Sequence, residues 1–238
     1  MLRAVLFDVD FTLARPGPDL GPEGYRRLGE RLGLDLDTSR YAEARAAAVA
    51  SLQRHPELRH DEEVWVSFTE RIVEGMGGGG PAVRLFAEEM KVLWERHENF
   101  DLFDDALPVL ETLRAHGLKL GLVSNTGRDL AEFVAHHAIQ VDCALTSRAH
   151  GWTKPHPTIF SAALELLDVA PAEAAMVGDS PEDDVEGARA LGMQAFLVDR
   201  EGLYPEAEGR LPSLAALPAA LGLGEAPSRG ASSTMPAT

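Results

Sequence analysis

Two carboxylates and a hydroxyl, in Asp8-Val9-Asp10-Phe11-Thr12, follow directly on the apolar run Leu2-Arg3-Ala4-Val5-Leu6-Phe7. A near-continuous apolar run of this length reads as a strand covered on both faces, as in a parallel α/β sheet. Ligands of such sheets sit beyond the carboxyl ends of the strands, where Asp8 must fall. Alternate residues of an extended chain point the same way, so Asp8 and Asp10 can face one substrate. Two carboxylates this close repel, and at neutral pH a cation or a shared proton is needed to hold them. The placement suits phosphoryl chemistry.

Three further segments add polar groups just after apolar sequence. Leu118-Lys119-Leu120-Gly121-Leu122-Val123 ends in Ser124-Asn125-Thr126-Gly127. Lys154 opens Lys154-Pro155-His156-Pro157, a loop leading into a helix that His156 is expected to begin, with no catalytic role. Ala174-Ala175-Met176-Val177 ends in Gly178-Asp179-Ser180-Pro181-Glu182-Asp183-Asp184. All four segments can therefore converge on one edge of one sheet. With these motifs in order over residues 1–14 and roughly 100–200, the chain resembles the haloacid dehalogenase superfamily, in the branch with a cap inserted after the first motif.

The resemblance implies a role for each residue. Asp8 matches the nucleophile, whose carboxylate attacks phosphorus to give an aspartyl-phosphate that water later hydrolyses. Asp10 matches the general acid/base. Relatives acting on carbon–halogen or carbon–phosphorus bonds lack an aspartate there, so Asp10 favours phosphate esters. Thr12, Ser124 and Asn125 look like phosphate-positioning groups, helped by a helix expected to start near residue 127; simple N-capping is the compatible alternative. Lys154 would neutralise nucleophile and phosphoryl group, and it is one of only three lysines beside Lys91 and Lys119. Asp179 matches the metal-binding carboxylate; with the Asp8 carboxylate and the Asp10 backbone carbonyl it would hold Mg²⁺. Asp183 and Asp184 are candidates for orienting metal waters or pairing with Lys154, or else acids complementing a helix dipole. Phe11 departs from the commoner glycine, and its ring narrows the entrance.

Composition bounds the alternatives. The 238 residues are 45% hydrophobic with a formal charge of −16, which disfavours nucleic acid and anionic membranes as partners and repels phosphorylated substrates at long range. Local positive potential must then come from Mg²⁺, Lys154 and arginines of the cap. No apolar run reaches the ~18 residues of a membrane helix. Met1-Leu2-Arg3 leads straight into a strand, and the single cysteine, Cys143, suits a reducing cytoplasm.

Strands expected near 2–8, 118–124, 141–146, 174–178 and 194–198 alternate with helices near 105–116, 127–138, 156–168 and 183–192. That alternation predicts an α/β fold with a parallel sheet; the resemblance adds a three-layer Rossmannoid core. Residues 15–99 break the pattern with four helical stripes, led by Tyr25, Tyr41, Trp65 and Phe86. They read as an all-helical cap hinged at 14–18 and 99–101, between core segments 1–14 and 100–222. A loose tail is expected over 223–238. The glycine run 75–80 reads as a flexible connection, and Trp65, Trp94 and Trp152 as core packing. His136 and His137 are expected to be surface or packing residues. The resulting expectation is a cytoplasmic Mg²⁺-dependent phosphatase of a small phosphorylated metabolite. Its alternatives are a phosphomutase or a non-catalytic phosphate- or metal-binding module. Substrate identity and oligomeric state are not fixed by the sequence.

Overall fold

The computed structural model describes residues 1–52 and 54–224. Its strands are β1 (Ala4–Phe7), β2 (Ala14–Pro16), β3 (Phe100–Leu102), β4 (Lys119–Ser124), β5 (Cys143–Thr146), β6 (Ala174–Gly178), β7 (Gln194–Val198) and β8 (Arg210–Leu211). The helices are α1 (Pro22–Arg31), α2 (Tyr41–Ala50), α3 (Glu62–Gly75), α4 (Ala82–Glu95), α5 (Ala106–Ala115), α6 (Leu130–His136), α7 (Ser147–His150), α8 (Pro157–Leu167), α9 (Gly187–Ala190) and α10 (Leu217–Ala220).

Six strands form one parallel sheet in the order β5-β4-β1-β6-β7-β8. The five strands expected from sequence are all in it, and β1 lies at its centre. All four residues of β1 are buried, as its unbroken apolar sequence requires. Val5 and Phe7 pack on one face with α5 and α6, through Leu110, Leu113 and Phe133. Ala4 and Leu6 pack on the other with α8, through Phe160, Ala163 and Leu164. Side-chain alternation along a single strand thus divides the core into the two faces of a three-layer α/β architecture.

Chain order makes β1 the switch point: the path runs outward to β4 and β5, then returns to place β6 on the other side. Phe7 pairs with Leu122 of β4 and with Val177 of β6. The residues just past these rungs, Asp8, Ser124 and Asp179, therefore emerge together at the carboxyl edge.

The segment between Asp8 and α5 carries helices α1 to α4. Asp61 caps α3 by accepting from the Glu63 amide at 2.9 Å. The expected hinge segments are strands rather than free links: β2 and β3 pair antiparallel, Ala14 with Leu102 and Pro16 with Phe100. At three residues each they are too short for periodicity to show. The glycine run is also not merely a flexible connection. A Cβ on Gly75 would lie 2.6 Å from that of Ala44, and one on Gly78 would lie 2.6 Å from Val73, so both permit close packing. Leu223 still packs on the core, and the rest of the expected tail, residues 225–238, lies outside the described residues. Among the described residues, no helix is long and apolar enough to cross a membrane.

Neighbouring leucines of α8 test the layer assignment. Leu167 is 1% exposed and Leu166 is 63% exposed. Leu167→Ala is expected to lower unfolding free energy by ~2–5 kcal/mol through lost transfer energy and a cavity. Leu166→Ala should stay within ~0.5 kcal/mol. Urea unfolding of the two variants measures the contrast.

Candidate active site

Asp8 closes β1, donating its amide to the Val177 carbonyl at 2.9 Å. The next residues turn sharply: the Phe11 amide donates to Ala14 at 2.6 Å, and Phe11 has a φ of 63°. That left-handed conformation is ordinary for glycine and strained for phenylalanine. It lifts the ring out of the turn, where Trp94 lies 6.5 Å away and the Arg45 guanidinium 5.3 Å.

Lys154 reaches the same point from the loop before α8. Its ammonium is buried and donates to Asp8 Oδ1 and Asp184 Oδ1, each at 2.6 Å. The loop is held by Asn125: the Lys154 amide donates to Asn125 Oδ1 at 2.7 Å, and Asn125 Nδ2 donates to the Lys154 carbonyl at 3.0 Å. The Lys154–Pro155 peptide is cis, and His156 caps α8, as expected of it.

After β6 the chain enters a π-helical turn, Pro181–Glu186, instead of starting an α-helix at residue 183. Ser180 caps the turn, and Asp184 Oδ2 accepts from the Ser180 amide at 3.0 Å. The extra residue per turn brings Asp184 against the strand end; such turns recur at functional sites. Only a glycine leaves room there, since a Cβ on Gly178 would lie 2.1 Å from Asp184 Oδ2.

Asp8, Asp179 and Asp184 each offer an oxygen within 4.8 Å of the others. Burial pushes Asp8 well above the usual carboxylate range; Lys154 opposes this, and Asp184, Asp179 and Asp10 add to it. Burial, and then Asp184, push Asp179 up from 3.8 to about 7. Burial alone would discharge Lys154, but Asp184 and Asp8 outweigh it and hold the ammonium charged. An all-oxygen set in which Asp8 and Asp179 resist ionisation fits a hard divalent cation. Of the five aspartates gathered here, Lys154 pairs with Asp8 and Asp184, Arg128 with Asp10 and Arg54 with Asp183, so Asp179 is the one with no basic partner at ion-pairing distance among the described residues.

Several sequence expectations change in detail. Asp184, expected only to orient metal waters or pair with Lys154, belongs to the metal-competent set itself, while Arg128 holds the Asp10 side chain at 2.8 and 3.3 Å. Asp183 pairs with Arg54 rather than with Lys154. The Asn125 side chain is engaged with the Lys154 backbone, leaving only its main-chain amide for an anion. Thr12 points its hydroxyl at Asp179 Oδ1, 3.4 Å away. Ser124 is buried on the cavity wall. No helix starts at residue 127: Asp129 accepts from the Ala131 and Glu132 amides and so delays α6 to Leu130. Arg45 and Arg54 lie in the helical segment whose arginines were expected to supply positive potential, whereas Arg128 escaped the sequence reading because nothing local marks its partner Asp10. Of the tryptophans, Trp65 and Trp94 line the cavity while Trp152 stacks on His156. His136 is exposed and stacks on His97.

The polar cluster floors a cavity of about 300 Å³. Tyr25, Tyr41, Leu52, Trp65, Phe68 and Trp94 of the helical segment form its roof. Arg45 is on that wall, and it has no carboxylate within ion-pairing distance among the described residues. The roof is tied down beside the floor. His60 Nδ1 and Ser147 Oγ lie 2.8 Å apart, the Thr153 amide donates to Leu58 at 2.7 Å, and Arg148 pairs with Glu62 and Glu95.

A buried carboxylate held by a fixed ammonium, within a set of acids that could hold a divalent cation, thus lies beyond the carboxyl ends of a parallel sheet. A family model described as haloacid dehalogenase-like hydrolase matches residues 2–192. The chain belongs to that family. It is 38% identical to a phosphoserine phosphatase of Thermus thermophilus, over 90% of this chain and 94% of the other. It is 33% identical to haloacid dehalogenase-like hydrolase domain-containing protein 3 of Bos taurus, over 91% and 90%. Among solved structures, a HAD phosphatase from Thermococcus onnurineus superposes with a TM-score of 0.66 at 29% identity, covering 94% of this chain and 100% of that one.

The raised Asp179 gives a signed expectation for the metal-free hydrolase. A carboxyl that titrates near 7 folded and near 3.8 unfolded contributes stability that is full at acid pH. That contribution is lost as pH rises toward about 7. Chelator-treated protein should therefore melt lower at pH 8 than at pH 5, and Asp179→Asn should flatten the difference. Thermal melts of both proteins across that range measure it.

Proposed function

We propose that this hydrolase is a Mg²⁺-dependent phosphatase that hydrolyses a small phosphorylated metabolite through an aspartyl-phosphate on Asp8. The observation carrying the reading is the buried Lys154 ammonium shared by Asp8 and Asp184, beside Asp179. Mg²⁺ held by Asp8, Asp179, the Asp10 carbonyl and Asp184 would supply positive charge against the phosphoryl oxygens.

The side chains divide the remaining work. Lys154 holds one Asp8 oxygen, aims the other at phosphorus and balances the transferring group, which carries most of the charge. As the new Asp8–phosphorus bond forms, the ester oxygen–phosphorus bond breaks and Asp10 gives its proton to the departing alcohol. Asp10, now a carboxylate, takes a proton from water; the water oxygen attacks phosphorus and the Asp8–phosphorus bond breaks. Phosphate leaves, and both aspartates are restored. Ser124 and the amides following it position the phosphate oxygens.

The helical segment 15–99 serves in this reading as a cap, with residues 1–14 and 100–222 as the catalytic core. Its aromatic roof excludes water and contacts the leaving group. Arg45 is placed to meet an anionic substituent there, in keeping with the carboxylate borne by the substrate of the Thermus relative named a phosphoserine phosphatase. A single buried cysteine accords with a cytoplasmic location.

Phosphate release from 4-nitrophenyl phosphate should require Mg²⁺ and stop with chelator. Asp8→Asn should abolish it, and Asp10→Asn should lower kcat on alkyl phosphates by ~10²–10⁴-fold. Turnover that is indifferent to metal, or that survives Asp8→Asn, rejects the mechanism. A screen of phosphorylated metabolites identifies the substrate.

A further inference from the structure

Arg128 heads the fully buried side chains among the described residues, and every face of it is occupied. Nη1 donates to Asp10 Oδ1 at 2.8 Å and Nη2 to Asp10 Oδ2 at 3.3 Å. Nε and Nη2 both donate to the Trp94 carbonyl, at 3.3 and 3.2 Å. The guanidinium plane lies 3.6 Å over the Phe100 ring, with Phe133 at 5.4 Å. Thr126 Oγ1 accepts from the Arg128 amide at 3.1 Å and so anchors its backbone. The side chain therefore joins the turn after β4, the end of α4, strand β3 and Asp10.

A buried guanidinium is costly unless it is fully paired, and a planar fork fixes a carboxylate in orientation as well as position. Asp10 needs such fixing. Its side chain is 21% exposed and sits on a strained turn, with no other ion-pair partner among the described residues. We infer that Arg128 is the positioning residue for the acid/base Asp10, holding it in both half-reactions and tying it to the last turn of α4. The shorter bond, to Oδ1, keeps the carboxyl in place while the more loosely held Oδ2 carries the transferred proton. Because the Trp94 carbonyl occupies the same guanidinium, the seating of α4 is linked to the placement of Asp10.

The inference rests on the reading of Asp10 as acid/base, and the test separates the two. Alkyl phosphates have a strongly basic leaving oxygen that needs a proton, whereas 4-nitrophenolate departs without one. Misplacing Asp10 should therefore lower the ratio of alkyl to 4-nitrophenyl kcat/KM, which reports the transfer to Asp8 and not the shared hydrolysis step, and which is read within each protein sample and so is insensitive to the fraction folded. Arg128→Gln is expected to lower this ratio ~10²-fold. Arg128→Lys, keeping the charge without the fork, should recover part of it. Arg128→Gln added to Asp10→Asn should cause no further fall. A crystal structure of Arg128→Gln should show the Asp10 side chain displaced. Equal losses on both substrate types, or a further fall of the ratio in the Asp10→Asn background, would overturn the inference. If Asp10→Asn itself leaves the ratio at the wild-type value, the acid/base reading fails and the inference falls with it.

Discussion

The site depends on one buried charge, the Lys154 ammonium between Asp8 and Asp184. Sheet topology delivers Asp8, Ser124 and Asp179 to a single edge, and that concentration of acid would be self-repelling without a counterion. Lys154 comes from a different crossover, so the ion pair also fixes where the loop before α8 lies. Removing one member of such a pair leaves an unpaired buried charge, a far larger penalty than the pair is worth in net stability. The arrangement is better understood as preorganisation than as stabilisation. A flexible lysine stem becomes a positioned cation because two carboxylates and the Asn125 amide leave it no alternative.

The remaining acids are handled pairwise, and each pairing spans long stretches of chain. Arg128 holds Asp10 and Arg54 holds Asp183, while Asp179 has no basic partner at ion-pairing distance among the described residues. The cluster thus gathers more carboxyls than paired cations, an excess that a divalent cation would offset. Metal affinity and the raised carboxyls are thus two descriptions of one constraint, since the cation must displace the protons that the metal-free site retains.

How much of this could be read from sequence follows from which interactions are local. The strand ends were legible because burial on both faces imposes apolar runs, and a carboxylate just after such a run can only lie at the sheet edge. His156 was legible as the start of a helix for the same local reason. The arginine partners were not, since a basic residue more than a hundred positions from its acid leaves no pattern. The second role of Asn125, its side chain holding the loop of Lys154, was not legible either. A side-chain amide after a strand suits an anion and a neighbouring loop equally well, and only tertiary structure decides. Asp184 rose in standing because the chain forms a π-turn, which helical periodicity does not anticipate.

Phe11 shows the opposite case, a local rule broken for a nonlocal reason. Left-handed backbone costs a side-chain-bearing residue about 1–2 kcal/mol, and a glycine would avoid it. The ring that incurs this strain lines the cavity, near Trp94 and under the Arg45 guanidinium. A glycine at this position would relax the turn and enlarge the cavity that Asp8 and Asp10 also line. It would also remove the aromatic face over which the Arg45 guanidinium lies. The strain therefore belongs to the shape of the cavity rather than to the turn, because the ring it positions is part of the wall.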